Sequence, residues 1–270
     1  MPIGAAQLHD EMVTLSMSPR RGTLHQVVVD TLGTQIVAGA IAVDAVLPNE
    51  QGLCSMLNVS RTILREGIKT LAAKGLVEAR TKVGTRVRPR DEWNMLDPDV
   101  MAWRLLHADR QNAASELFEM RLIFEPVAAR IAAERATEAD LAAIAAAAAG
   151  MRVHSEQDED YIEPDIAFHC AILRATGNQF LAGLGKLIAA GLRLSFRQSW
   201  ARPETRDRAL LEHEAVLDFI RSGDSHGAEE AMRKLLRNAR ADWKRVEATR
   251  AAQAAAEAPA GRIEADDRAG

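Results

Sequence analysis

The apolar residues in the first third of the chain recur at helical spacing in two short segments, and two extended segments joined by a turn follow them. In the first helical segment, Leu53, Met56 and Leu57 share one face, and Asn49 stands where it can cap the helix N-terminus. Asn58 follows as a turn residue. The pattern predicts two consecutive helices separated by a tight turn.

The second predicted helix has two different faces. Its N-terminus can be capped by Ser60, and Gly75 tolerates the positive φ that ends a helix. The apolar stripe contains Leu64, Ile68 and Leu71. The cationic stripe contains Arg61, Arg65 and Lys69. One face can therefore pack on a core while the other presents positive charge.

A two-stranded wing is predicted after this helix, with a turn at Lys82, Val83 and Gly84. Residues 21–90 thus form a predicted winged helix-turn-helix domain. A helix of this type fits the DNA major groove, where arginines contact guanine edges or phosphates. Its free N–H groups also favour a phosphate. The residues expected to contact DNA on this basis are Ser60, Arg61, Thr62, Arg65, Lys69 and Lys82. The alternative is a packed domain with solvated arginines that binds another protein.

The second half of the chain keeps helical spacing, and no strand pattern interrupts it. We predict a mainly α fold in which residues 111–248 form an antiparallel all-helical bundle that binds an effector and dimerises. The first long helix of this bundle is predicted to begin near Glu116, and the last to end near Ala248.

The remaining segments are connecting or terminal. Residues 91–110 are predicted to be a linker with a short helix over residues 98–106, and its tryptophans are too apolar for a free tether. Residues 1–20 are predicted to be a disordered arm, and residues 249–270, which have few large apolar side chains, a disordered tail.

Charge distribution supports a nucleic-acid partner. The net charge of the 270 residues is -4, yet lysine and arginine outnumber acids from about Arg20 to Arg90. The two cysteines, Cys54 and Cys170, lie in separate helical patterns and predict no disulfide framework, as expected in a reducing cytoplasm. No apolar run reaches the roughly 20 residues of a membrane span. We expect a cytoplasmic protein without a membrane partner.

Candidate chemistry is concentrated in the helical half. Asp165 and His169 are four residues apart and share one helix face, and His213 lies in a later apolar pattern. Together they could bind zinc or a similar ion, although this spacing in isolation is more typical of a helical ion pair or a hydrogen-bonded core histidine. Arg121 interrupts a core-facing pattern and needs an anion if buried. Trp200 could stack on a ligand or anchor domain packing.

No sequence pattern assembles a nucleophile with its base, and no Gly-rich phosphate loop is present. We therefore expect a protein that is not an enzyme. A metal-dependent enzyme that uses Asp165, His169 and His213 to hold a water molecule is the alternative from another class.

Several motifs resemble those of GntR-type transcription regulators of the FadR branch, over roughly residues 22–245. The first domain has the Leu-Pro, Ser-Arg-Thr, Arg-Glu and Gly-Leu-Val pattern of that family. The linker carries RDEWNMLDPDVMAWRL, and the helical segment after it carries EMRLIFEPVAARIAAERAT, DIAFHCAIL and LEHEAVLDFI. Within the branch, these motifs are most similar to those of regulators that sense sugar acids such as galactonate.

The resemblance implies a homodimeric repressor that leaves its operator DNA when an aldonate binds. It implies that Arg61 and Arg65 contact the operator and that Gly84 lets the wing tip approach the minor groove. A regulator of another small carboxylate, or of acyl-CoA, is the alternative. The effector-binding residues expected from their chemistry are Arg121, Asp165, His169, Trp200 and His213.

The resemblance also implies a divalent metal, such as zinc, in the helical domain. The family binds this metal through one aspartate and three histidines. Asp165, His169 and His213 match the first three ligands, whereas Leu235 stands at the position of the third histidine. Because leucine cannot ligate a metal, the expected site is a weak one.

Overall fold

The structure, a computed structural model, describes residues 23–106, 110–156, 162–195 and 203–257. Within these ranges the chain is mainly α, with a winged helix-turn-helix domain followed by a helical bundle, which confirms the predicted fold class. The arm predicted over residues 1–20 lies outside the described residues. None of the described helices is both long enough and apolar enough to cross a membrane.

The N-terminal domain has three helices and a two-stranded sheet within its described residues. These elements are α1 (Leu24–Ala38), α2 (Glu50–Leu57), α3 (Arg61–Ala73), β1 (Val77–Arg80) and β2 (Gly84–Val87). Helices α2 and α3 form the predicted helix-turn-helix, and the two strands form the wing.

Capping residues define the helix-turn-helix as predicted. The Oδ1 atom of Asn49 accepts a hydrogen bond from the Gly52 N–H at 2.8 Å, and Ser60 Oγ accepts one from the Ile63 N–H at 3.4 Å. Asn58 ends α2 in the left-handed region with φ 51°. These side chains satisfy N–H groups that have no partner inside the helix, so the two helix starts are determined locally.

The wing is a short antiparallel hairpin in which Val77 pairs with Val87 and Arg80 with Gly84. Its turn contains Lys82, which has φ 64°. The segment before α2 contributes one isolated bridge, between Val46 and Arg86, rather than a full strand.

Helix α4 (Pro98–Leu106) lies in the predicted linker and contributes to both hydrophobic cores. Val100 and Trp103 belong to the core of the N-terminal domain, whereas Leu105 belongs to the core of the bundle. The Trp103 ring lies so close to Gly33 of α1 that a Cβ at this glycine would be 2.4 Å from it. The linker helix is therefore a packed element that joins the two domains.

The described residues after α4 form the helical bundle. Its helices are α5 (Arg110–Arg135), α6 (Glu138–Glu156), α7 (Ile162–Ala175), α8 (Gln179–Ser195), α9 (Pro203–Ser222) and α10 (Ser225–Glu257). Helix α10 packs along α5 and α9, α7 packs against α6 and α8, and α4 packs on α8. Their shared core is made of aliphatic, alanine and aromatic side chains.

Two predicted helix ends differ from the structure. Helix α5 begins at Arg110 rather than near Glu116, and Ala113 and Ala114 of this added turn are buried. Helix α10 continues to Glu257, so the first part of the predicted disordered tail is helical. Residues 249–257 are mainly alanine, which has the highest helix propensity and needs no apolar stripe to extend a helix. Residues 258–270 lie outside the described part.

Candidate functional site

Helix α3 is held by its apolar face and presents its polar face to solvent. Leu64 and Leu71 are buried, and Gly67 lies against Val28 of α1, where a Cβ would be 2.5 Å from the valine side chain. This close approach fixes α3 on α1. The residues predicted to contact DNA are all exposed: Ser60, Arg61, Thr62, Arg65, Lys69, Lys82 and Gly84.

Acidic side chains accompany the cations of this surface. Arg65 forms a two-point ion pair with Glu50 of α2, with Nε to Oε1 at 2.9 Å and Nη2 to Oε2 at 3.0 Å. Lys69 pairs with Glu66 at 2.8 Å. In the wing, Arg86 Nη2 lies 2.6 Å from an Asp44 carboxylate oxygen. The surface is therefore basic but partly neutralised, a feature that the sequence pattern alone did not indicate.

A cavity within the bundle collects the polar residues predicted for the effector. It holds about 440 Å³ of space between atoms, including the part open to solvent. Its inner end is lined by Arg121 of α5, Asp165 and His169 of α7, and His213 of α9. All four side chains are buried. Residues four apart on α7 share one helix face, so Asp165 and His169 reach the same point as predicted.

Arg121 is engaged by a carboxylate of its own helix. Its Nε donates to Glu125 Oε1 at 2.5 Å and its Nη2 to Glu125 Oε2 at 3.4 Å. Its Nη2 also lies 3.1 Å from His169 Nε2. The sequence predicted that a buried Arg121 needs an anion, and Glu125 supplies it along the Nε edge of the guanidinium.

Neighbouring side chains of opposite charge determine which groups are ionised at the inner end of the cavity. Burial acts to raise the pKa of Glu125, but the charges of Arg121 and His169 outweigh it and lower that pKa to about 2. Burial likewise acts to raise the pKa of Asp165, but its close contacts with the imidazoles of His169 and His213 hold that pKa below its ordinary value. Burial acts to lower the pKa of His169, whereas the negative charge of Glu125 raises it overall. Both carboxyl groups are therefore ionised at neutral pH.

The two histidines direct ring nitrogens toward Asp165. His213 Nδ1 lies 2.6 Å from the Ala209 carbonyl oxygen, which can only accept, so Nδ1 carries a proton. Its Nε2 lies 2.9 Å from Asp165 Oδ1 but has no hydrogen bond of good geometry. The same carboxylate oxygen is 3.6 Å from His169 Nε2. With Nδ1 protonated, Nε2 of a neutral His213 presents a lone pair to the Asp165 carboxylate, which is an unfavourable contact that a bound cation would relieve.

Asp165, His169 and His213 could hold a metal ion. Each offers one ligand atom, and these atoms lie within 4.8 Å of one another. The donor set, one carboxylate oxygen and two imidazole nitrogens, suits zinc. Leu235 lines the same cavity and provides no ligand atom. The residues therefore fit a divalent ion with three protein ligands and open positions for water or an effector.

The remaining walls include residues that the sequence analysis missed. The apolar wall contains Leu192, Ala209, Leu235 and Ala239. The polar wall beyond the inner end contains Thr205, Arg208, Glu212 and Asp242. The i, i+4 spacing of Arg121 and Glu125 could have identified Glu125, whereas only packing reveals the cavity-lining residues of α9 and α10. Trp200, predicted as an effector contact, lies outside the described residues.

Comparison with protein-family models gives two matches. Residues 24–87 match the model described as bacterial regulatory proteins, gntR family, and residues 116–238 match the FCD domain. These matches correspond to the winged helix-turn-helix domain and to the helical bundle.

Two relatives and one solved structure extend this comparison. The Galactonate operon transcriptional repressor of Escherichia coli is 39% identical over 205 residues, which cover 76% of this chain and 90% of the relative. The Glc operon transcriptional activator of Escherichia coli is 26% identical over 240 residues, covering 86% and 93%. Lar of Listeria monocytogenes has a similar fold, with a TM-score of 0.61 and 20% identity over 84% of this chain and 100% of that chain. The relatives are transcription regulators, which rejects the alternative of a metal-dependent enzyme.

Proposed function

Because this chain belongs to the GntR family of bacterial regulatory proteins and carries an FCD domain, we propose that it is a cytoplasmic, homodimeric repressor of sugar-acid catabolic genes. The effector is an aldonate, with galactonate as the first candidate, and its binding releases the operator. The domain boundaries are part of this proposal: an arm over 1–20, a DNA-binding domain over 21–90, a linker over 91–110, an effector domain over 111–248 and a tail over 249–270 whose first part continues α10.

The buried polar cluster at the inner end of the cavity carries the effector part of this proposal. A sugar acid has one carboxylate and several hydroxyl groups. Arg121 supplies a cation, and Asp165, His169 and His213 supply donors and acceptors for hydroxyls. The apolar wall can contact the carbon backbone.

Alternative effectors match this cavity less well. Acyl-CoA is several times larger than a six-carbon acid and would need space beyond the described cavity. A smaller carboxylate such as lactate has a single hydroxyl group, so it would pair with fewer of the buried polar side chains of this cluster than an aldonate. The 39% identity to a galactonate operon repressor independently favours an aldonate.

A metal ion would add to this recognition without being required for it. We propose that Asp165, His169 and His213 bind a divalent ion such as zinc weakly, because Leu235 supplies no fourth protein ligand. When bound, the ion would act as a Lewis acid that attracts the carboxylate or hydroxyl oxygens of the effector. Arg121 and Glu125 would still orient the effector and His169.

Release of the operator would follow from thermodynamic coupling between the effector domain and the DNA-binding domain. The cavity is built on α5, α7, α8, α9 and α10, and α4 packs on α8 and α1. An effector that changes the position of α8 would shift α4 and, through it, the DNA-binding domain. Operator affinity then falls by the same factor by which DNA weakens effector binding.

Calorimetry and light scattering test this proposal. We expect galactonate, or a closely related aldonate, to bind one site per chain, and galactose, which lacks the carboxylate, not to bind. We also expect a dimer at micromolar concentration. Failure of every aldonate to bind at millimolar concentration would reject the effector, and a monomer both with and without DNA would reject the dimer.

A further inference from the structure

Glu50 is an acidic residue on the surface expected to face DNA. It is the first residue of α2, and its carboxylate forms two hydrogen bonds with Arg65 of α3. The pair thus connects the two helices of the helix-turn-helix. A carboxylate in this position repels DNA phosphates, so its presence requires a compensating role.

A contribution to folding stability does not explain the presence of Glu50 on this surface. The side chains of Arg65 and Glu50 are 64% and 48% exposed. Ion pairs with this exposure contribute little to folding, because solvent and salt screen them. The hydrogen bond with Arg65 lowers the pKa of Glu50, so the carboxylate is ionised at neutral pH and remains paired.

The geometry of the pair fixes the direction of the guanidinium. Arginine has five N–H donors in one plane, and Glu50 accepts two of them along the Nε and Nη2 edge. The remaining three N–H donors, on Nη1 and Nη2, therefore have a defined orientation away from Glu50. An Nη1 and Nη2 edge of this kind can form two parallel hydrogen bonds with guanine O6 and N7.

We propose that Glu50 is a positioning residue for sequence readout, which holds Arg65 so that its outer edge contacts a guanine rather than a phosphate. Arginine has a long, flexible side chain, and without this restraint it can follow the nearest phosphate on any sequence. Glu50 therefore sets the ratio of operator to non-operator affinity. The proposal rests on DNA binding through α3 and is independent of the effector.

The Glu50→Gln variant tests this role, because glutamine keeps the shape but loses the charge and the two-oxygen acceptor. We expect operator affinity to fall roughly 3- to 10-fold, the cost of ordering one long side chain on binding. Affinity for non-operator DNA should stay equal or rise, because one negative charge is removed. Fluorescence anisotropy with operator and scrambled duplexes at one salt concentration measures both values.

Glu66→Gln is a matched control. Glu66 lies on α3, is exposed, and pairs with Lys69, an amine that cannot form a two-point fork. The same charge is removed, so this variant should raise the affinity for both duplexes by a similar factor. If Glu50→Gln behaves in the same way, Glu50 acts only as a surface charge and the proposal is overturned.

A double-mutant cycle separates the proposal from the DNA-binding assignment itself. In an Arg65→Ala background, Glu50→Gln should no longer reduce the ratio of operator to non-operator affinity. If Glu50→Gln reduces this ratio in the Arg65→Ala background as much as in the parent, Glu50 acts without Arg65 and the proposal is overturned. If Arg65→Ala alone leaves operator binding unchanged, the assignment of α3 fails instead. Thermal melting of each variant should match that of the parent protein.

Discussion

Lys74 Nζ lies 2.9 Å from each carboxylate oxygen of Asp97, and this contact joins the end of α3 to the start of the linker helix α4. The same carboxylate accepts hydrogen bonds from the N–H groups of Asp99 and Val100 and so caps α4. Asp99 Oδ2 lies 2.7 Å from the same ammonium. A displacement of α4 would therefore act on the end of α3 through this contact.

Replacing Lys74 should therefore uncouple the domains. In Lys74→Met, we expect operator affinity without effector to change little, while the reduction caused by an aldonate becomes smaller. Anisotropy titrations with and without effector measure this. Lys69→Met is the control, since Lys69 lies on the same helix and pairs only with Glu66 among the described residues. Equal effector responses in Lys74→Met and the parent would contradict a coupling role for this contact.

The stabilising contribution of Lys74 should depend on pH. Burial acts to lower the pKa of Lys74, but hydrogen bonds with Asp99 and Asp97 raise it above its ordinary value of 10.5. The contribution is therefore complete below pH 10.5 and is lost as the pH rises through the higher folded-state value. Melting temperatures of the parent and Lys74→Met should differ at pH 9 and converge in more alkaline buffers. A difference that grows above pH 10.5 would contradict this.

Arg65→Ala should separate DNA binding from folding. Because Arg65 is exposed and its ion pair contributes little to stability, the melting temperature should be nearly unchanged. Operator binding should weaken by about 1 to 3 kcal/mol, the cost of losing a two-point contact with one base. A gel-shift titration indistinguishable from that of the parent would reject the assignment of α3 as the reading helix.

The role of Arg121 in effector binding is best tested by replacing it together with Glu125. Both Arg121 and Glu125 are 1% exposed, so Arg121→Ala would leave a buried carboxylate without its guanidinium and lower the free energy of unfolding by about 3 to 5 kcal/mol. Removing both charges, as Arg121→Met with Glu125→Gln, should restore much of this loss in urea denaturation. The double variant should still bind the operator but no longer release it with an aldonate. Normal release would remove Arg121 from the effector site.

Leu235→His should convert a weak metal site into a strong one. The added imidazole would supply a fourth protein ligand beside Asp165, His169 and His213, and zinc affinity should increase at least about tenfold. Leu235→Gln controls for the introduction of a polar side chain. In the parent protein, a chelator should lower effector affinity only in part or not at all. Stoichiometric zinc that survives dialysis of the parent against chelator would contradict the weak-metal proposal.

Local interactions explain why so much of the DNA-binding domain was predictable. The caps Asn49 and Ser60, and the apolar stripe with Leu64 and Leu71, determine α2 and α3 from contacts within a few residues. The wing follows from its turn residues in the same way. The ion pair between Glu50 and Arg65 spans two helices, and its geometry depends on how these helices pack.

The cavity was predictable only in part for the same physical reason. Asp165 and His169 share a helix face, so their proximity follows from spacing alone. Contact between Glu125 and His169 depends on how α5 lies against α7, and Arg208 enters the cavity wall only because α9 packs on α10. The extension of α10 was missed because an apolar stripe was expected, whereas alanine propensity is sufficient.

The most direct test of the central claim measures linkage between effector and operator. A labelled operator duplex is titrated with protein, with and without saturating galactonate and with galactose as the uncharged control. We predict that galactonate lowers operator affinity about 5- to 150-fold, and that bound operator lowers galactonate affinity by the same factor in calorimetry. Operator affinity that is identical with and without bound galactonate would contradict the proposed function.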